Sequence, residues 1–187
     1  MTEVPVRIRE AADLAGCVAV LRRVHEISGY PSRWPADPGG WITPRGLVAA
    51  WIAEHDGLIA GHVALVRGVR LECLLQATGL FPGELGGIAR LYVDPRARRR
   101  GLARALLEAA NDRAAAHGLQ AVLEVVADSH PAIALYERSG WQLVGTQPAT
   151  WANPDGTTPV LRGYVRPRPV GSGPGRREAA QLASRPG

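Results

Sequence analysis

An α/β domain built on a central sheet is what this sequence predicts. Three observations lead there: short apolar runs bounded by turn residues, two stretches of helical periodicity, and a strand, helix, strand succession in the second half of the chain. With 187 residues and 46% apolar composition, the chain sustains one ordinary domain with a real core. Residues 1–165 read as that domain and 166–187, dense in Arg, Pro, Gly and Ser, as a flexible tail.

Val6 and Ile8 alternate with polar neighbours as in a short strand, after which Asp13 is placed to cap a helix running to about Ser28, stopped by Gly29. Residues 30–44 are loop chemistry loaded with large aromatics: Tyr30, Trp34 and Trp41 sit among four prolines and two glycines. Two roles stand open for these rings, covering a core edge or lining a cleft. Apolar runs at 47–53 and 58–66 flank Asp56-Gly57, a strong hairpin signal, so both are strands. Residues 71–76 fit either a helix turn or a strand, and the glycines from Gly79 to Gly87 read as loop. Residues 88–93 form a buried strand ended by Asp94-Pro95, and Leu102, Leu106, Ala109 and Ala110 recur at helical spacing over 101–117, with Gly118 as the stop. A strand follows at 119–126, then a helix capped by Ser129 with Pro131 in its first turn, then strands at 141–144 and 160–165. The loop between those last strands carries Trp151. There is no internal repeat.

Composition narrows the function. Net charge is +5, but Arg166, Arg168, Arg176, Arg177 and Arg185 against Glu178 put most of it in the tail, which lacks aromatics; the body is nearly neutral, and no nucleic-acid partner is expected. The chain has no Lys, which excludes Schiff-base and lysine-nucleophile chemistry. Cys17 and Cys73 lie far apart without metal-ligand spacing, so two free thiols and no metal are expected. The polar first ten residues and the lack of an apolar run of ~18 residues lead to the expectation of a cytoplasmic protein with no membrane association.

Arg98-Arg99-Arg100-Gly101-Leu102-Ala103-Arg104 lies between the end of a strand and the start of a helix. The first amides of a helix have no internal partners, and with the helix dipole they attract anions. Gly101 and Ala103 remove bulk where a phosphate must approach, and the arginines add charge-assisted contacts. A diphosphate fits this chemistry; a solvated basic helix start is the plainer alternative.

The run Leu91-Tyr92-Val93-Asp94-Pro95 followed by Arg98-x-x-Gly101-x-Ala103 resembles motif A of the GNAT acetyltransferases. Downstream, Ala132-Ile133-Ala134-Leu135-Tyr136-Glu137 ending in Gly140-Trp141 resembles motif B. The resemblance implies one GNAT domain: a mixed, mostly antiparallel sheet of about six to seven strands, splayed in the middle and flanked by about four helices. It implies acetyl-coenzyme A, or another acyl-coenzyme A, as co-substrate, held by the backbone of Leu91, Tyr92 and Val93, by the turn from Arg98 to Arg104, and by Ser129 and Tyr136. An acyl-carrier protein's phosphopantetheine is a second donor open to such a site. The implied activity is transfer of the acyl group to a primary amine through a ternary complex, with monomer and homodimer both open.

In that reading Val93 N–H stabilises the oxyanion and Tyr136 supplies the proton to the departing thiolate, a packed helix tyrosine being the alternative. Where relatives often carry a glutamate in the strand ending at Val93, this sequence has Gly87 and Ala89. Glu124, twelve residues before Tyr136, resembles the base of the ribosomal-protein alanine N-acetyltransferase branch; a solvent-facing or Arg-paired glutamate is the equal alternative, and Glu84 a further candidate base. Tyr30, Trp34, Trp41 and Trp151 are expected to flank the acceptor entrance, suggesting a small-molecule amine with a flat or partly apolar body, while a peptide N-terminus stays open. The competing class is a catalytically degenerate domain that binds coenzyme A or an acyl group without turnover.

Overall fold

Residues 4–168, which the computed structural model describes, order along the chain as strand β1 (Val6–Ile8), helix α1 (Leu14–Ser28), helix α2 (Pro38–Trp41), strands β2 (Leu47–His55) and β3 (Leu58–Arg67), helix α3 (Glu72–Thr78), strand β4 (Leu85–Val93), helix α4 (Leu102–Ala116), strand β5 (Gln120–Val126), helix α5 (His130–Arg138), and strands β6 (Gln142–Pro148) and β7 (Val160–Val165). The seven strands form one sheet ordered β1-β2-β3-β4-β5-β7-β6. Each neighbouring pair is antiparallel except β4 and β5, which are parallel and therefore need the long crossover that α4 supplies.

That parallel pair is short. It runs from Leu85↔Gln120 to Ile88↔Leu123, although β4 continues to Val93 and β5 to Val126. Beyond those four pairs, β4 stays with β3 (Tyr92↔His62, Val93↔Gly61) and β5 stays with β7 (Glu124↔Gly163, Val126↔Leu161). The two halves of the sheet therefore diverge at residues 89 and 124.

Alternation along the strands sorts the core into two faces. Leu106, Leu107, Ala110 and Ala114 of α4 and Tyr136 of α5 bury one face with Leu65, Ile88, Leu123 and Tyr164. On the other, α1 packs through Cys17, Val20, Leu21 and Val24 against Ile52 and Tyr92, and α3 packs through Leu74 against Leu85, Val122 and Leu161.

The structure moves several expected boundaries. Gly86 and Gly87 belong to β4, not to a loop, because both layers press on the strand there: a Cβ on Gly86 would lie 3.2 Å from Ala114 Cβ, and one on Gly87 2.5 Å from Val69 Cγ2. Of residues 71–76, Leu71 is the N-cap and the rest are helix, and the Pro/Gly/Trp loop contains the single turn of α2, started by Asp37, whose carboxylate accepts from Gly40 N–H. Trp141 precedes β6 as a buried core residue. Asp13 stands at the α1 N-cap without capping by its side chain, since its carboxylate is engaged by Arg7 at 2.7 and 2.8 Å and by Glu10 N–H. Ser129 likewise makes no side-chain cap for α5. Among the described residues no helix is long and apolar enough to cross a membrane. The tail from residue 169 lies outside the described residues; before it, Arg166 pairs with Glu108 at 3.5 Å.

Candidate active site

The site grows out of a bulge in β4. Register with β3 slips between His62↔Tyr92 and Ala64↔Ala89, and Arg90 takes up the extra residue with φ +55°. His62, fully buried, braces it: Nδ1 donates to the Arg90 carbonyl at 3.0 Å, which leaves Nε2 bare to accept from Arg9 Nη1 at 3.2 Å, with the ring stacked on Tyr92. Burial, with Arg9 and Arg90 adding, lowers the His62 pKa to about 4 against the pull of the Arg90 carbonyl, so the ring is neutral. Nothing in the sequence marked His62 or Arg90; a lone His or Arg within an apolar strand carries no motif.

Past the bulge, Asp94 N–H donates to Ala60 O at 2.7 Å. Peptide groups alternate in direction along a strand, so the amides of Val93 and Leu91 point away from β3, into the gap left by β5. Tyr92 is thereby corrected as a donor-holding residue: its backbone faces β3, and its buried side chain donates to Cys17 O at 3.1 Å. Leu91 and Val93 keep the available groups.

Asp94 then anchors the turn into α4. Its carboxylate accepts from Arg96 N–H at 3.0 Å and pairs with Arg23 at 2.7 Å. Burial raises its pKa, but these partners outweigh burial and the net direction is down. The chain passes through Arg99 at φ +62° and Gly101 at φ +82° before α4 begins. At Gly101 a Cβ would meet nothing nearer than Val4 Cγ2 at 3.9 Å, so the surface above the α4 N-terminus is open. Arg98, Arg99, Arg100 and Arg104 are exposed, and none is in a salt bridge among the described residues. Leu102 is core and Ala103 half-buried, so their amides, not their side chains, face a ligand. This end of the gap thus fits a diphosphate: unpartnered amides, a bare glycine and uncommitted guanidinium groups.

Glu124 and Tyr136 stand on opposite faces of the sheet. Tyr136 packs with Trp141 and Tyr164, ring centroids 6.4 and 6.2 Å away, and its hydroxyl has no hydrogen-bond partner among the described residues. Burial raises its pKa, with Tyr30 adding to the effect. Glu124 is cross-strand from Gly163, whose Cα faces Cys73 and Leu74, so its carboxylate projects on the α3 side. Glu124 still meets solvent at the cleft, but partial desolvation by the surrounding walls raises its pKa, and the Arg90 guanidinium opposes that rise. The two groups share only the opening between β4 and β5.

On the α3 side of that opening lies a cleft of about 290 Å³, whose floor is Gly87, Ile88, Ala89, Val122, Leu123 and Glu124. Trp151 lines it. Tyr30 and Trp41 stand beside Arg90, whose guanidinium lies 3.9 Å over the Trp41 ring and whose Nε donates to Trp41 O; Tyr30 meets Trp41 edge-on at 5.8 Å. Trp34 is corrected: it packs on α1 against His25 and under Arg22, away from the cleft, because the loop turns it back into the α1 core. Glu84 is corrected as well. It lies at the opposite end of β4, roughly 16 Å from Ala89 at strand spacing, with its carboxylate accepting from Phe81 N–H. Ser129, half-buried at the start of α5, has a hydroxyl without a hydrogen-bond partner among the described residues. Both cysteines are free, Cys17 buried with its pKa raised by burial to about 11, and Cys73 packed under β6 and β7. No group of His, Cys, Asp and Glu suited to a metal occurs among the described residues.

A sheet that parts in its middle, amides turned into the gap and a helix N-terminus at its mouth define a transferase fold able to hold an acyl-thioester donor in place of a strand. Residues 16–141 match the acetyltransferase (GNAT) family model, and the chain belongs to that family. Among solved structures, the ribosomal-protein-S18-alanine N-acetyltransferase from Escherichia coli superposes with TM-score 0.64 at 21% identity, covering 89% of this chain and 96% of its own. NAA60 from Arabidopsis thaliana, crystallised with acetyl-CoA, gives TM-score 0.67 at 20% identity over 87% and 97%. The ribosomal-protein-alanine N-acetyltransferase from Brucella melitensis gives 0.67 at 20% over 86% and 98%. None of the curated proteins compared matches this chain.

Proposed function

We propose that this protein transfers an acetyl group from acetyl-coenzyme A to the primary amine of a small molecule, by direct attack within a ternary complex. The observation that carries this reading is the opening beyond Ile88 and Leu123, where amides, a phosphate-sized turn and a carboxylate converge. Leu91 and Val93 offer backbone pairing to the pantetheine amides, and the first-turn amides of α4 with Arg98, Arg99 and Arg104 offer the pyrophosphate site. An acyl-carrier arm presents the same pantetheine and is a second donor for the same groups.

Glu124, with its raised pKa, takes a proton from the acceptor ammonium, directly or through water. Val93 N–H donates to the carbonyl oxygen that gains charge as the amine adds. Tyr136, its proton held by burial, donates to the departing sulfur, where the same low-polarity surroundings disfavour a bare thiolate and so favour its protonation. No cysteine competes as a nucleophile, since the Cys17 thiol is buried and Cys73 does not line the cleft, which favours direct attack over an acyl-enzyme. The carboxylate in the cleft also favours turnover over a degenerate binding module, despite Gly87 and Ala89 in β4.

Free-thiol release from acetyl-coenzyme A, measured with a panel of primary amines, tests the reading. Amine-dependent release above the background hydrolysis is expected. Donor binding without release for any amine would leave only the binding-module alternative.

A further inference from the structure

The acceptor cleft is built for one positive charge on an apolar body. Its walls are Val66, Val69, Leu71, Leu74, Val122 and Leu161, with Trp151 across the mouth. Four polar side chains line it: Glu124, Arg70, Gln147 and Thr150. Gln147 is half committed, its Oε1 accepting from Cys73 N–H at 3.1 Å while its Nε2 remains a donor. That leaves one carboxylate, one guanidinium, one amide NH₂ and one hydroxyl in about 290 Å³.

From this we infer that the acceptor is a small primary monoamine with an aromatic or branched aliphatic body. The inference rests on the acyl-transfer reading above and specifies its substrate. The ammonium meets Glu124 at the opening, and the body displaces water from the aliphatic wall, worth roughly 25 cal/mol per Å² of apolar surface covered. A polyamine or aminoglycoside would bring further charges into a wall with no second carboxylate and would meet the repulsion of Arg70. A peptide N-terminus would bring backbone amides and carbonyls, for which the cleft supplies few free partners.

The test is thiol release from acetyl-coenzyme A with 2-phenylethylamine, 3-methylbutylamine, spermidine and an alanine-leading hexapeptide. The monoamines are expected to exceed the other two by at least tenfold in kcat/KM. Two variants narrow the cleft from opposite walls, Val69→Phe on the loop before α3 and Thr150→Trp on the exposed β6–β7 loop. Each is expected to lower kcat/KM for 2-phenylethylamine at least fivefold, mainly through KM, while acetyl-coenzyme A still raises the melting temperature as in the parent. Arg70→Glu, which adds a carboxylate, is expected to raise spermidine relative to 2-phenylethylamine at least fivefold. Thiol release that is greatest with spermidine or the peptide, or monoamine KM values untouched by both narrowing variants, would overturn this inference alone. Silence with every amine would overturn the transferase reading beneath it.

Discussion

At the scale of single residues, the proposed reaction divides the proton traffic between Tyr136 and Glu124 on two faces of one sheet, and their removal should look different. Tyr136→Phe deletes only a hydroxyl that makes no hydrogen bond among the described residues, so donor affinity should hold while kcat falls roughly 10- to 10³-fold. For Glu124→Gln the loss should be largest at low pH, where the amine is protonated, and should shrink as pH approaches the amine's own pKa. A pH-rate profile for Glu124→Gln that parallels the parent's, with kcat unchanged, would place deprotonation elsewhere. His62 makes a separate prediction about stability. Its folded pKa of about 4 lies below the unfolded value of ~6.5, so between those pH values the unfolded chain binds the extra proton. Its contribution is therefore complete above pH ~6.5 and is lost as pH falls to about 4, with a slope approaching 1.4 kcal/mol per pH unit. Urea melts across that window should show the slope in the parent and a flatter line in His62→Gln; an equal slope in both would assign it to other groups.

At the scale of elements, β4 and α4 act as one device, a bulged strand that turns its amides outward and delivers a helix N-terminus to the same gap. Gly101 is the joint. Because its φ is +82°, any side chain there adds strain of roughly 1–2 kcal/mol, so loss of binding in one variant proves little. The informative comparison is Gly101→Ala against Gly101→Glu. Both carry the strain and should melt lower to a similar degree, but only the glutamate puts bulk and negative charge where a pyrophosphate would lie. Calorimetry should find coenzyme A binding within a few-fold of the parent for the alanine variant and none for the glutamate variant. Equal affinities in the two would mean that the α4 N-terminus is not the phosphate site. Much of this device was legible beforehand, since Asp94-Pro95 ends a strand and the Arg/Gly turn begins a helix. The bulge was not, because Arg90 looks like any strand residue until His62 and Trp41 are brought to it.

At the scale of the molecule, β4 and β5 share no strand pairing beyond Ile88↔Leu123, so a ligand that bridges the gap adds links between the two halves of the sheet and should stabilise the whole fold. A donor at a hundredfold excess over its Kd contributes about 2.7 kcal/mol. For a domain of this size that corresponds to a rise in Tm on the order of 5–10 °C. Differential scanning fluorimetry with acetyl-coenzyme A checks this directly, and no shift at millimolar ligand would remove the basis of the donor site.

The sequence by itself determined the α/β class, most of the order of strands and helices, the Arg/Gly turn at Gly101 that opens a helix, and the motif that carries the family resemblance. These are local signals: hydrophobic period, Gly and Pro punctuation, and charge next to a helix start, each read within a dozen residues. Only the tertiary structure decided which groups meet. Trp34 turns to α1 while Trp41 meets Arg90, Glu84 lies just before β4 at the end far from the opening, and His62 fixes the bulge that aims the Val93 amide. Those outcomes depend on register and on packing between residues tens of positions apart. A single substitution-free sequence carries no local trace of them, because the energy that selects them arises only once the sheet has formed and its two faces are covered.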